Sequence, residues 1–438
     1  MTSRREFVAG LGTAVAAGLA GCSALGGNDQ EPDGLTAEDL AGWTPPDLVA
    51  PNGFPVGVPD AMAENHLSRA AALLETVPQE LSIPNEAIQS ELRSDRERVA
   101  EEIESPETID RPLVRLRSRR WTRGEAAELV GRYRAATGED DAAALAERRR
   151  AVRRAGFEFQ SDLSYAARSP IEAVLVYAPI ESLLETVRRR TRPRAEYPDS
   201  PTHDVDAAGD VFQAVERAGA AFVDARGLRE TYREKREGLT EQWAQLVETS
   251  RWIEYAVDRT GDERIQGTEP PDRESAFNFE LTPVERELYQ HARRRVMSHG
   301  NPVRTEREAG RYGSAIIEAG ERLAAITVYD AVVGAIEADK LPEEQSRATL
   351  ESAASRADEA IRDVPMGEYP FLGATILFPA IDTYQTGVRT VTEFDNPPWA
   401  EGSFRYAALF ANAVPGVARD LADRLQETQG AQPGDTTA

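Results

Sequence analysis

From Asp60 onward the apolar residues recur with a helical period rather than in alternation. In "DAMAENHLSRAAALLETV", Met62, Leu67, Ala70, Leu73, Leu74 and Val77 fall on one face, the pattern of an amphipathic helix. Capping boxes, in which a Thr hydroxyl accepts from the fourth residue's amide while that residue's carboxylate reaches back, are read at Thr122–Glu125 and Thr282–Glu285. Ser105-Pro106, Ser169-Pro170 and Thr282-Pro283 place proline at a first helical position, where its missing N–H costs nothing. No stretch sustains a period of two. The pattern predicts an all-α fold, an elongated multi-helix bundle or helical array. Its helices are expected near 60–77, 85–104, 123–137, 140–167, 170–190, 206–259, 283–299, 305–339, 343–363, 371–394 and 402–427, with long loops near 191–205 and 260–281.

Two segments resemble each other. "PIEAVLVYAPIESLLETVR" begins at Pro170 and "PFLGATILFPAIDTYQTGVR" at Pro370. Each has a second proline nine residues on, Pro179 and Pro379, then a carboxylate, Glu181 or Asp382, and a Val-Arg pair. Each interior proline removes one backbone bond and is expected to kink its helix. The pairing is what a weak internal duplication would leave, and chance among Ala-rich helices is the alternative.

The first apolar run differs in kind. Arg4 and Arg5 precede an uncharged stretch from Phe7 to Gly21, broken by Gly10, Gly12 and Gly18. At 1.5 Å per residue it is roughly 22 Å long, short of the roughly 30 Å hydrocarbon core a spanning helix crosses. A charged head before an apolar body is the build of a signal peptide. "GLGTAV" within it copies part of a dinucleotide loop but follows no strand. Paired arginines followed by Phe7 resemble the twin-arginine (Tat) export signal, and "LAGC", Leu19, Ala20, Gly21 and Cys22, resembles the lipobox of prokaryotic lipoproteins. Cys22 is the sole cysteine of 438 residues, so no internal disulfide can form. The resemblance, to haloarchaeal Tat-exported lipoproteins, covers residues 1–22 and implies a diacylglyceryl lipid on Cys22, the Tat machinery as export partner and an outward-facing body.

Composition agrees with that resemblance. Asp and Glu number 75 against 51 Lys and Arg, for a net charge of −24, and only Lys235 and Lys340 are lysine. Many carboxylates keep a surface hydrated in brine, while at low salt they repel one another. A GC-rich genome would also favour arginine over lysine. Nucleic acid is excluded as a partner, because it needs a basic face. The expected organisation is a signal peptide over 1–21, the lipid-bearing Cys22 with a flexible acidic Pro/Gly-rich tether to 58, one helical extracytoplasmic body over 59–428 and a disordered tail over 429–438.

Candidate chemistry is sparse. The four histidines, His66, His203, His291 and His299, form no metal-ligand spacing and are expected at the surface or at helix caps. No cofactor and no metal is expected from the spacing of His, Cys and acids. Carboxylates in apolar helices remain: Asp330 and Glu337 lie seven apart on one face, and Glu172, Glu181 and Asp382 have similar surroundings. With Tyr329, Tyr384 and Tyr177 they could line a cation or substrate pocket; the alternative is that they meet arginines or reach solvent. The basic runs Arg115–Arg123 and Glu147–Arg154 are either solvated helix faces or a patch for anionic headgroups or an acidic partner. The expectation is a membrane-anchored helical protein that binds or scaffolds a protein or small-molecule partner without catalysis. A ligand-binding component of an uptake system, or a metal-dependent enzyme built on carboxylates alone, is the alternative.

Overall fold

The computed structural model describes residues 40, 43–46, 53–139, 141–192, 197–265, 277, 279–297, 302–338, 346–394 and 396–430. Arg4, Arg5, Phe7, the lipobox, Cys22 and the tail beyond Gly430 lie outside these residues. The fold is all-α: among the described residues there are fourteen α-helices and one two-residue antiparallel pairing, Ala166 opposite Glu241 and Ala167 opposite Thr240. The single body expected over 59–428 divides into two compact units. The first is Phe54–Gln242; the second takes in the described residues before Phe54 and those from Trp243 onward.

The first unit holds α1 (Asp60–Leu74), α2 (Glu86–Glu104), α3 (Pro112–Ala136), α4 (Ala142–Ser161), α5 (Pro170–Arg190) and α6 (Val205–Lys235). The Ser169 hydroxyl accepts from the Glu172 amide and Pro170 opens α5, as the sequence predicts. Two other predicted starts are displaced. Ser105 closes α2 instead of opening a helix, and Thr122 lies in mid-helix. The Thr122 hydroxyl donates to the Ser118 carbonyl, while Glu125 is taken by Trp121 and Arg98, so no box forms. α3 and α6 cross closely because glycines line the crossing: a Cβ at Gly131 would stand 2.6 Å from the Phe212 ring, and one at Gly209 3.1 Å from the Glu128 carbonyl oxygen. Leu73, Val77, Leu92, Val99 and Leu129 fill the core beside them. The end of the expected tether is not free either. Phe54, Val56 and Val58 are buried, Lys235 donates to the Gly57 carbonyl and Arg236 to that of Pro55, because three apolar side chains supply the burial that the Gly and Pro content hides.

The second unit holds α7 (Trp243–Ile265), α8 (Pro283–Val296), α9 (Pro302–Glu308), α10 (Tyr312–Glu337), α11 (Arg347–Asp363), α12 (Pro370–Ile376), α13 (Phe378–Arg389) and α14 (Pro397–Gly430). The predicted Thr282–Glu285 capping box is present with both of its bonds. The helix expected over 206–259 is cut where Gly238 takes φ +69°, and that over 305–339 where Gly310 takes φ +73°, conformations that glycine adopts without strain. Earlier residues join this unit: Trp43 stacks edge-on against Phe404 at 6.3 Å and the Tyr384 hydroxyl donates to the Pro46 carbonyl.

The two prolines of the internal similarity act differently. Pro179 sits inside the continuous α5, whereas Pro379 opens α13 after a break at Leu377. Each unit nonetheless repeats one order of pairings. In the first, α1 and α2 pack on α3, and α3, α4 and α5 pack on the last helix, α6; in the second, α7 and α8 pack on α10, and α10, α11 and α13 pack on the last helix, α14. Counting α-helices alone, the one that holds the interior proline, α5 or α13, is next to last in both. The second unit adds a pairing of α8 with α14 that has no counterpart of like extent in the first.

Candidate functional site

The acids and tyrosines singled out from the sequence do not converge on one pocket. Glu181 lies on α5 of the first unit, 1% exposed, and accepts from the Tyr165 hydroxyl. Asp330, Glu337, Asp382, Tyr329 and Tyr384 belong to the second unit. There Glu337 is exposed and Asp382 is half-exposed with Arg295 Nη2 at 3.1 Å. Asp330 is itself only partly buried, so the face it shares with Glu337 is the rim of α10; the core face of that last stretch belongs to Val332, Ala335 and Ile336. Tyr329 packs against Tyr289 with ring centroids 6.0 Å apart, and burial together with that neighbour raises its pKa. Glu172 meets arginines, as the alternative reading has it. Burial pushes its pKa up, but hydrogen bonds from Arg168 and Arg236 outweigh that and hold it below the usual carboxylate range. The Tyr177 hydroxyl donates to the Ala166 carbonyl.

The structure instead gathers a charged network inside the first unit. His66 on α1 and Asp224 on α6 are each 1% exposed and 2.8 Å apart through Nε2 and Oδ1. Arg120 and Arg123, three apart on α3, reach Asp224 and Glu216 respectively. Arg123 also places Nη1 3.3 Å from His66 Nδ1. A guanidinium has no lone pair to offer, so Nδ1 accepts and Nε2 carries the proton that goes to Asp224. Glu216 is buried among Arg123, Arg69 and Arg148. Burial opposes its charge, but those arginines hold its pKa below the ordinary range. His66 is thus a clamp between helices, correcting the expected surface or cap position. Its sequence signal is slight: it shares the buried face of α1 with Ala63, Ala70 and Leu73, and its partner is 158 residues away.

A second polar cluster lies in the other unit. His291 on α8 stands 3.0 Å from Ser403 Oγ on α14 and 4.9 Å from the Trp399 ring. The single hydroxyl proton of Ser403 goes to the Trp399 carbonyl at 2.8 Å, so His291 Nε2 is the donor between them. A serine whose proton is engaged by a backbone carbonyl is not activated by that histidine. Burial, then Arg294 and Arg295, push the His291 pKa down to about 4, so the ring is neutral at neutral pH. Glu318 and Glu321, three apart on α10, have pKa values raised by burial first and by neighbouring carboxylates second. Of the remaining histidines, His203 is exposed as expected and His299 lies outside the described residues.

An open groove on the second unit is lined by Arg251, Glu254, Tyr255, Asp258, Arg304 and Arg307. Glu254 is shared by Arg304 and Arg307, and Arg304 also reaches Asp258, so most of the lining charge is already paired. Among the described residues no group of three or more His, Cys, Asp or Glu is placed to hold a metal ion, and no helix is long and apolar enough to cross a membrane. These clusters can tie helices together and store buried charge.

No curated protein and no solved structure matches the chain. Residues 61–238 match a family described as a domain of unknown function (DUF8262), and residues 243–423 match a second, a domain of unknown function (DUF8264), so that one match falls in each unit.

Proposed function

We propose that the chain is a lipid-anchored, outward-facing helical protein that binds or scaffolds a partner and does not catalyse a reaction. The observation that carries the location is "LAGC" closing an Arg-Arg-headed apolar run, with Cys22 the sole cysteine. A diacylglyceryl group brings two acyl chains, and at roughly 0.8 kcal/mol per buried CH₂ two chains hold a protein where one does not. The non-catalytic reading is supported by how the buried titratable groups are used. His66 is held between Arg123 and Asp224, and Ser403 is bonded to a backbone carbonyl, so neither is free to move a proton. Two units of like helix order offer two presenting surfaces on one anchored chain. Membrane fractionation tests the anchor. After an alkaline carbonate wash that strips peripherally held protein, the wild-type chain stays with the membranes and Cys22→Ser is released; equal retention of the two removes the reading. Replacing Arg4 and Arg5 by lysine leaves the chain inside the cell.

A further inference from the structure

Thirteen arginines and six carboxylates lie between Arg111 and Arg154, a surplus of seven positive charges in a chain of net charge −24. Part of this surplus turns inward, where Arg120, Arg123 and Arg148 meet Asp224 and Glu216. The remainder accompanies two exposed rings, Trp121 at 54% and Phe157 at 48% exposure. Each ring is backed by an arginine: the Arg217 guanidinium stands 3.7 Å from the Trp121 centroid and that of Arg153 5.5 Å from Phe157. The end of α5 links them. Arg153 donates to the Thr191 carbonyl, and the preceding residue, Arg190, lies near enough to Arg217 that, after burial, its charge helps push the Arg217 pKa down to about 10.

Two features point to an anion at this face. Arg217 is 6% exposed, yet Nε and Nη2, the edge that meets a phosphate or carboxylate side-on, make no hydrogen bond. The fold makes room for it: a Cβ at Gly124 would stand 2.6 Å from Arg217 Cγ and 2.9 Å from Cδ. Among the described residues, Arg150 and Arg154, both exposed on α4, and the half-buried Arg190 also make no ion pair, in a chain where acids outnumber bases by 24. These arginines share one end of the first unit with the two exposed rings.

We infer that this basic, aromatic face of the first unit is a second membrane contact, docking on anionic lipid headgroups. The inference rests on the lipid-anchor reading above: Phe54 is 32 residues beyond Cys22, a length that extends to about 110 Å at most, so an anchored first unit stays within reach of the headgroups. Indole and guanidinium are side chains that settle at a membrane interface, and the guanidinium fork matches phosphate oxygens. In brine of about 1 M the Debye length is about 3 Å. Repulsion between an acidic protein and an anionic surface is then confined to contact range, where arginine–phosphate pairs and ring burial act.

The test uses the mature chain with Cys22→Ser, which carries no lipid, and vesicles of phosphatidylglycerol or of phosphatidylcholine in about 1 M KCl. The protein is expected to sediment with the anionic vesicles and not with the zwitterionic ones. Combining Arg150→Glu, Arg154→Glu and Arg190→Glu, three side chains without ion partners, lowers the bound fraction at least about tenfold. The charge-matched control Arg226→Glu, Arg347→Glu and Arg419→Glu leaves it unchanged. Absence of binding to the anionic vesicles, or equal loss in both triple variants, overturns the inference. Capture of soluble polyglutamate in place of vesicles also overturns it, and identifies an acidic polypeptide as the partner instead. Should the wild-type chain pellet with membranes while Cys22→Ser ignores vesicles, the anchor stands and the second contact falls.

Discussion

Replacing Glu216 by glutamine tests whether the charged network holds the first unit together. The side chain keeps its shape and loses its charge, leaving Arg123, Arg69 and Arg148 without their shared carboxylate. Arg69 and Arg148 are 44% and 43% exposed and can rehydrate; Arg123, at 13%, cannot. Breaking a buried ion pair by removing one partner costs about 3–5 kcal/mol, and with two of three arginines solvated the lower end applies, about 3 kcal/mol. Because the folded pKa of Glu216 lies below the unfolded carboxylate value of about 4.3, this stability is present above that pH and lost as pH falls through the folded pKa. Hydrogen exchange followed by peptide mapping reads the two units separately, which a single unfolding curve would not. At pH 7 the α3 and α6 amides should open about 100-fold more often in Glu216→Gln, with α10 and α14 unchanged, and the difference should vanish in acid. It should also persist in molar salt, since buried pairs are screened little. A change below about 1 kcal/mol, or one that salt abolishes as for an exposed pair, would refute the reasoning.

Three further perturbations follow from the geometry. Gly124→Ala drives a Cβ into the Arg217 stem and should cost the first unit about 1–3 kcal/mol, read as loss of protection in α3 and α6. His291 binds its proton near pH 4 when folded and near 6.5 when unfolded, so it alone should remove about 2–3 kcal/mol from the second unit as pH falls from 7 to 4, while Glu318 and Glu321, whose folded pKa values are raised, act in the opposite sense; the His291 share is read as the difference between wild type and His291→Gln in the protection of α8 and α14 at the two pH values. Pro179→Ala returns an N–H to the interior of α5 and should stabilise the first unit by about 1–3 kcal/mol, whereas Pro379→Ala, at the start of α13, should change the second by less than about 1 kcal/mol.

Helical content was legible because the apolar period and the Ser169 and Thr282 caps are local signals, and the structure keeps both starts. The Thr122–Glu125 spacing forms no box because it also occurs inside helices, where the hydroxyl bonds four residues back and the carboxylate finds other partners. The apolar period runs on through Gly238 and Gly310, since a lone glycine within it does not announce a left-handed turn. The site was less legible still. Asp330 and Glu337 share a helix face, but which face of α10 turns inward depends on α8 and α14. His66 and Asp224 carry no local mark of their meeting, 158 residues apart. The division into two units departs from the single body expected over 59–428; the Pro170 and Pro370 segments hold like places in the two helix orders, but nothing in either marks a boundary at Gln242.

Attachment at Cys22 is the claim on which the proposed location rests, and mass spectrometry of the membrane-extracted protein addresses it directly. The account predicts an N-terminal peptide that begins at Cys22 and carries a thioether-linked diacylglyceryl-type lipid. A chain that retains residues 1–21, or begins elsewhere with a free thiol on Cys22, would contradict it.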